Sequence, residues 1–297
     1  MADKAQRLAH NAPGDFFVDG TCIDCDQCRA IAPETFRDAG SEASVYRQPD
    51  RPERIQRALM ALVTCPVGSI GTESRHQLSA AVSSFPEPLE EEAEENVYFC
   101  GFSSASTFGA SSYLIRQPEG NVLVDSPRFA SRLVSRLEQM GGVRWMFLTH
   151  RDDIADHARF RRHFGCERII HAREHTREIH SGLAGIEQQI TGDEPQRIGP
   201  ELVAIPTPGH TRGHMVLLYR DRFLFTGDHL AWSAARQDLY AFRNRCWYSW
   251  EKQTESMERL LPHRFEWVLP GHGRRHRGTV KEMHASLTRC VAWMRNC

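Results

Sequence analysis

No apolar run in this 297-residue chain approaches the roughly 20 residues a membrane-spanning helix needs, so a role across a membrane is not expected. The first fifteen residues are polar and lack the apolar core of a secretory leader. Lys/Arg-rich runs with interleaved aromatics are missing, which argues against nucleic acid as a partner; the short cluster Arg274, Arg275 and Arg277 reads as a solvated turn. Internal repeats are missing too. So is an even disulfide framework: there are nine cysteines, three of them crowded into seven residues. That crowding fits cofactor ligation in a reducing compartment better than a secreted scaffold, and the chain reads as cytoplasmic.

What is present is ordinary globular composition, 40% hydrophobic and 25% charged, with length for two domains. The net charge of −1 hides an asymmetry. Residues 1–96 carry 9 Lys+Arg against 17 Asp+Glu, and residues 97–297 carry 28 against 21. Opposite charge on the two parts favours their docking in a salt-sensitive way. Between them, residues 83–96 are rich in Pro and Glu without an apolar period, a composition that reads as an extended, self-repelling linker. The expected division is therefore 1–82, a linker at 83–96, and 97–297.

The first part carries Cys22-Ile-Asp-Cys25-Asp-Gln-Cys28, with Cys65-Pro66 further on. Three soft ligands on one tight loop plus a distant Cys-Pro are how a cubane iron–sulfur cluster is held, whereas a structural zinc more often shows two separated Cys-x2-Cys pairs. Between the ligands, Ile55, Leu59, Leu62 and Val63 recur at helical spacing, and that helix is expected to pack over the cluster. With Ala-Pro-Glu-x-Phe at Ala32 to Phe36 and Cys65-Pro-Val-Gly-Ser-Ile70, the segment resembles the single-cluster bacterial-type ferredoxins. Ala32 stands where two-cluster relatives carry a further Cys, so the resemblance implies one [4Fe–4S] cluster on Cys22, Cys25, Cys28 and Cys65. The remaining cysteines (Cys100, Cys166, Cys246, Cys290 and Cys297) show no ligand spacing and read as ordinary thiols.

From Val97 the pattern becomes mixed: β-type runs at 97–102, 112–115, 121–124, 144–148, 168–171, 201–205, 215–220, 222–226 and 265–269, with helices expected at 131–140, near 153–164, at 249–261 and at 279–295. Such alternation predicts an α/β layered sandwich. Residues 173–190 read as a helical or mobile excursion, and His171, His175 and His180 as surface histidines. Four strand ends carry metal-ligand types: His150-Arg-Asp152-Asp153-Ile-Ala-Asp156-His157, Pro208-Gly-His210-Thr-Arg-Gly-His214, Thr226-Gly-Asp228-His229, and Pro270-Gly-His272. Imidazole and carboxylate suit zinc, iron and manganese, and Pro/Gly turns let short side chains converge on one sheet edge. Taken singly, each has a plainer reading; Asp152 or Asp153 in particular would serve as a helix N-cap.

Together these motifs resemble the metallo-β-lactamase superfamily, whose pattern is Thr-His-x-His-x-Asp-His, then Pro-Gly-His-Thr-x-Gly-His, then Thr-Gly-Asp, then a late Gly-His. The resemblance implies an αβ/βα sandwich of four layers over residues 97–297 with one or two divalent metals. It implies that His150 and His210 hold the first metal, Asp228 bridges, His272 holds the second, and His214 stands behind the ligands and orients His210. The first motif departs from the pattern. Asp152 replaces the second His, and Ile154-Ala155 occupy the expected Asp-His pair unless two residues are inserted and Asp156-His157 take those roles. On a helix starting near Asp153, positions 153 and 157 share a face, as do 152 and 156, and either pairing supplies ligands for a second metal.

Asp152 hardens the site towards iron or manganese, as in the flavodiiron proteins of the same superfamily, and two His with one carboxylate also resembles non-haem iron(II). Three functions follow from these expectations. The first is a metallo-hydrolase using a metal-bound hydroxide on a small-molecule substrate, with Trp232, Trp247, Tyr248 and Trp250 as candidate pocket walls. The second is a flavodiiron-like or non-haem-iron oxidoreductase fed by its own cluster, although no flavin-binding segment is present. The third is an electron-transfer or sensor protein with a degenerate metal site. A redox partner protein is a further expected partner of the chain.

Overall fold

The computed structural model describes residues 2–90, 96–174 and 185–297. The chain divides into two compact units, one of residues 1–121 and 127–143, the other of 122–126 and 144–297. All nine cysteines are free thiols. Among the described residues no helix is long and apolar enough to cross a membrane.

In the first unit, Phe16–Val18 pairs antiparallel with Ile70–Thr72, and Phe36–Asp38 pairs with Ala43–Val45. Two helices, Gln27–Ile31 and Pro52–Thr64, lie between these strands in sequence. The longer one opens on Pro52, whose fixed φ suits the first helical turn, and it stops at Cys65 because a residue preceding proline is pushed out of helical geometry. Phe16, Ile31, Phe36, Val45 and Leu59 are among the buried side chains that make this core. Further on, Glu87–Pro88, Val97–Phe99 and Tyr113–Ile115 form an antiparallel meander. Of the stretch expected to be a linker, Phe85 is buried edge-on against Phe99 and Phe102, and Glu87–Pro88 is a strand. Residues 91–95 lie outside the described residues.

The second unit holds two sheets. In the first, Val122–Val124, Trp145–Phe147, Glu167–His171 and Gln188–Ile190 run parallel in that order. The second has the order Gln196–Gly199, Leu202–Pro206, Met215–Tyr219, Phe223–Gly227, Trp267–Pro270, His276–Arg277. Its pairings are antiparallel except Phe223–Gly227 with Trp267–Pro270, which run parallel through a crossover containing the helix Trp250–Leu260. Met215–Tyr219 and Phe223–Gly227 are buried at every position, which is why they read as continuous apolar runs and not as alternating ones. Trp250–Leu260 and Val280–Arg295 bury Met257, Leu260, Met283 and Leu287 with Ile205, Val216, Leu218, Leu224 and Val268 of this sheet. The last helix is opened by a reciprocal cap between Thr279 and Glu282.

The expected strands and helices from residue 97 onward are present within a few residues, with one exception that matters. The helix expected near 153–164 runs His157–Phe164. Asp153 to Asp156 form an irregular turn with Ala155 at φ 30°, so pairs 153/157 and 152/156 do not share a helix face. His171 is buried, not on the surface: Nε2–H donates to Gly192 O at 2.9 Å and Nδ1 accepts from Arg173 N at 3.0 Å. His175 and His180 lie outside the described residues.

Candidate metal centre

Cys22, Cys25, Cys28 and Cys65 line one pocket with Val18, Ile23, Ala43, Val67 and Ile70. The loop bearing the first three passes through left-handed backbone at Asp24 (φ 56°) and Asp26 (φ 65°), and the buried Arg29 guanidinium pairs with both carboxylates to fix it. Ala43 N–H donates to Cys22 Sγ at 3.5 Å, and Ser69 Oγ lies 3.4 Å from Cys65 Sγ. The helix Pro52–Thr64 contributes no lining residue; only Cys65 at its end reaches the pocket. Burial pushes the Cys25 thiol up to about 12 and Cys28 well above its ordinary value, so without iron these are neutral thiols. Among the described residues, the groups of three ligand atoms within 4.8 Å of one another include none of these sulfurs. A single tetrahedral zinc with bonds of about 2.3 Å needs sulfurs closer than that. Gly109, left-handed at φ 85°, lies against the pocket: its carbonyl accepts from Gln27 Nε2 at 2.8 Å, and a Cβ there would stand 2.9 Å from Cys25 Sγ.

In the second unit, strand ends deliver a different donor set. His210 Nε2 lies 3.4 Å from Asp152 Oδ2 and 3.7 Å from Asp228 Oδ2, and His150 Nε2 lies 3.9 and 3.8 Å from the same two oxygens. Two atoms bound at about 2.1 Å to one ion stand about 3–3.5 Å apart, so these four donors surround a point where an ion fits with small adjustments. The other Asp228 oxygen, Oδ1, is 2.7 Å from His272 Nδ1, and Asp153, Asp228 and His272 form a second group of ligand atoms within 4.8 Å of one another. Asp228 thus belongs to both groups. Gly271 makes room for this: a Cβ there would stand 2.5 Å from Asp153 Oδ2 and 3.0 Å from Asp228 Oδ1.

Four buried polar atoms without partners lie at the same place. His150 Nε2, both ring nitrogens of His210 and Asp153 Oδ2 have no hydrogen-bond partner. Each such orphan costs about 1–3 kcal/mol, so their convergence calls for a bound group. Burial, followed by the facing Asp228 carboxylate, holds Asp153 well above the usual carboxylate range. Burial acts in the same direction on Asp228, but His272, His150 and His210 outweigh it and hold that carboxyl well below. Divalent ions fit this set: they satisfy the orphans and offset the facing carboxylates.

The hydrogen bonds behind the donors set their tautomers. Thr149 Oγ1 donates to Asp125, at 3.0 Å, and lies 3.0 Å from His150 Nδ1, so Nδ1–H donates to Thr149 and the Nε2 lone pair faces the aspartates. Burial depresses His150 to about 4 against the pull of Asp228, which keeps the imidazole neutral. Asp228 N–H donates to His214 Nε2 at 3.3 Å, and His214 Nδ1–H donates to Thr207 Oγ1 at 2.9 Å. With both nitrogens engaged, His214 holds the backbone of Asp228; its expected action on His210 is not through a hydrogen bond. Gly227, left-handed at φ 49°, lets Thr149 and His214 close in, since a Cβ there would stand 2.6 Å from Thr149 Oγ1 and 2.7 Å from His214 Nε2.

Of the residues singled out by sequence, His150, Asp152, His210, Asp228 and His272 come together. Asp156 and His157 are in neither group of ligand atoms. Asp156 precedes the helix beside Arg159, and His157 Nδ1 lies 3.3 Å from Arg168 Nη1. Of Asp153, Asp156 and His157, among which the sequence left the choice open, it is Asp153 that stands with Asp228 and His272, because the chain turns directly after Asp152. Asp125 and Glu174, both buried and bonded to the ligand loops, are lone acids after strands and carry no motif. Among the candidate pocket walls, Trp232 stacks on His276, Trp250 donates to Met294 O, and the Tyr248 ring lies under the Arg212 guanidinium; the ring of Trp247, 58% exposed, lies beside His210, at 6.2 Å.

The model of the 4Fe-4S single cluster domain of Ferredoxin I matches residues 18–72. No curated protein matches the chain. Among solved structures, a metallo-beta-lactamase from Pontibacter korlensis is 15% identical with a TM-score of 0.52, covering 70% of this chain and 98% of that one. A metallo-beta-lactamase superfamily protein from Sulfolobus tokodaii, ST1585, is 18% identical with a TM-score of 0.46 over 66% and 86% of the two chains. ETHE1 from Myxococcus xanthus is 20% identical with a TM-score of 0.46 over 65% and 84%. The Metallo-beta-lactamase superfamily model matches residues 105–272, more than half of the sequence, and the chain belongs to that superfamily, with a single-cluster ferredoxin region at its N-terminus.

Proposed function

We propose that the protein is a dinuclear metal-dependent hydrolase of small molecules, with residues 97–297 as its metal domain and residues 1–82 as a domain holding one [4Fe–4S] cluster on Cys22, Cys25, Cys28 and Cys65. The observation that carries the reading is Asp228, whose Oδ2 faces His150 and His210 while its Oδ1 faces His272. In this reading His150, Asp152, His210 and Asp228 hold one ion, and Asp153, Asp228 and His272 the other. Held by these residues, two divalent ions would lower the pKa of a water towards neutrality and polarise a substrate oxygen. The chain's own part is orientation. Thr149 and Asp125 hold His150 in the metal-binding tautomer, His214 fixes the backbone of Asp228, and Trp247 offers an apolar flank for substrate.

A second reading, redox chemistry at a di-iron centre fed by the cluster, is favoured by one feature: three of the six donors are carboxylates, a hard set that suits iron or manganese better than zinc. Metal analysis of anaerobically purified protein separates the two. The hydrolase reading expects two divalent ions beyond the cluster and undiminished turnover of thioesters, lactones or phosphodiesters in a Cys25→Ser variant lacking the cluster. Two extra irons that take up electrons through the cluster, with turnover lost in Cys25→Ser, overturn it in favour of redox chemistry.

A further inference from the structure

The carboxylate of Glu174 is fully buried in the second unit and joins two of the loops that carry the donors. It follows the strand Glu167–His171 at the end of a short turn, Ala172–Glu174. Its Oε1 accepts from Thr211 Oγ1 at 2.7 Å and from Gly213 N–H at 2.5 Å, and its Oε2 accepts from Arg151 N–H at 3.2 Å. Among the described residues, the cation near it is Arg151, whose Nε stands 3.8 Å from Oε2.

Each of these donors adjoins a residue of the metal centre. Arg151 lies between His150 and Asp152, Thr211 follows His210, and Gly213 precedes His214. Gly213 is shaped to the carboxylate: a Cβ there would stand 2.9 Å from Glu174 Oε1 and from its backbone nitrogen. A buried carboxylate satisfied mainly by neutral donors is costly to maintain, and an apolar side chain would fill the same volume at less cost. What it provides is a fixed distance between the His150/Asp152 loop and the His210/His214 loop. Asp153, Asp228 and His272 receive no bond from it.

We infer that Glu174 is the positioning residue of the ion assigned above to His150, Asp152, His210 and Asp228, acting through the backbones of Arg151 and Gly213 and the hydroxyl of Thr211; the inference rests on the dinuclear reading above. A Glu174→Gln variant keeps one oxygen for Thr211 and Gly213 but turns an amide N–H₂ towards the Arg151 N–H, so two donors face each other and the span opens. Partners of this kind tune metal affinity by roughly 10- to 100-fold.

The test is a Mn(II) titration of the full chain, stripped of unit-two metals with its cluster intact, followed by EPR. The free-ion signal gives the affinity at each site, and the bound-ion line shape gives the coordination. Glu174→Gln is expected to weaken one site by roughly 10-fold or more with an altered line shape, while the site formed by Asp153 and His272 holds its affinity. Thr211→Val removes one donor and leaves the carboxylate; it is expected to shift the same site by less, and it carries the test should Glu174→Gln not fold. Unchanged affinities and line shape in a folded Glu174→Gln protein overturn the inference, and so does an equal loss at both sites that tracks a fall in melting temperature. A wild-type chain that binds no Mn(II) outside the cluster overturns the dinuclear reading itself, a result distinguishable from the other two.

Discussion

The cysteine pocket and the His/Asp centre solve the same problem with opposite means. Three of the four thiols come from one seven-residue loop and the fourth from a helix end, so local backbone geometry at Asp24 and Asp26 nearly completes the site. The His/Asp donors come from four strand ends spread over more than a hundred residues, and sheet register brings them together. The donors differ as sharply: soft sulfur in one, hard oxygen with imidazole in the other. Ligand type therefore keeps two metal chemistries apart within one chain. A chelator such as EDTA is expected to empty the second centre and leave the visible absorbance of the cluster intact, whereas oxidation by air or ferricyanide is expected to bleach the cluster and leave the divalent metal content unchanged. Loss of both together under either treatment would break the distinction.

The largest effect of a single substitution is expected at Asp228. Because one oxygen faces each group, Asp228→Ala should lower the metal content outside the cluster from two ions to none, while Asp153→Asn should remove one, both read by elemental analysis. The counterpart in the other region is Cys25→Ser, which should abolish the cluster absorbance with no loss of divalent metal. Asp228→Ala retaining one tightly bound ion would mean that the two groups are independent.

Next in size are two glycines, one in each region. A Cβ at Gly227 meets Thr149 and His214 at 2.6 and 2.7 Å in left-handed backbone, so Gly227→Ala is expected to cost about 2–4 kcal/mol. For a unit of this size the melting temperature then falls by roughly 5–15 °C. Gly109→Ala presses on Cys25 instead, and it should speed loss of the cluster while leaving the divalent metals in place. Equal effects of the two substitutions on both centres would show the regions to be coupled.

The two regions were unequally legible in the sequence for the same reason that they differ in construction. A contiguous Cys-x2-Cys-x2-Cys with a later Cys-Pro identifies its own partners, because the loop cannot avoid bringing them together. The strand-end motifs of the second centre identified His150, His210, Asp228 and His272, since each closes an apolar run that becomes a strand. What the pattern could not decide was Asp153 against Asp156 and His157. That choice depends on where the helix starts, and the irregular turn through Ala155 has no signature in residue type. Asp125 and Glu174 were illegible for a related reason: a lone acid after a strand looks like any surface carboxylate until the fold buries it. The buried Phe85 inside a Pro- and Glu-rich stretch shows the converse, where composition hides a residue that packs.

The smallest expected effect is also the one that tests the irregular turn. If Asp153 is the ligand, His157 has a structural part alone: it opens the helix His157–Phe164, is buried, and accepts at Nδ1 from Arg168 Nη1 at 3.3 Å. His157→Ala should then cost about 1–2 kcal/mol through lost packing and the lost bond to Arg168, and leave the metal content at its wild-type value. Asp156→Ala should cost less still, because the Asp156 side chain makes no capping hydrogen bond to the helix. Elemental analysis beside a thermal melt reads both quantities on the same sample. If His157→Ala loses one ion at an unchanged melting temperature, the two-residue insertion is real, His157 is a ligand, and Asp153 must be reassigned. If the ion stays and the melting temperature falls by a few degrees, the superfamily's Asp-His pair has been reduced in this chain to a single carboxylate placed directly after Asp152.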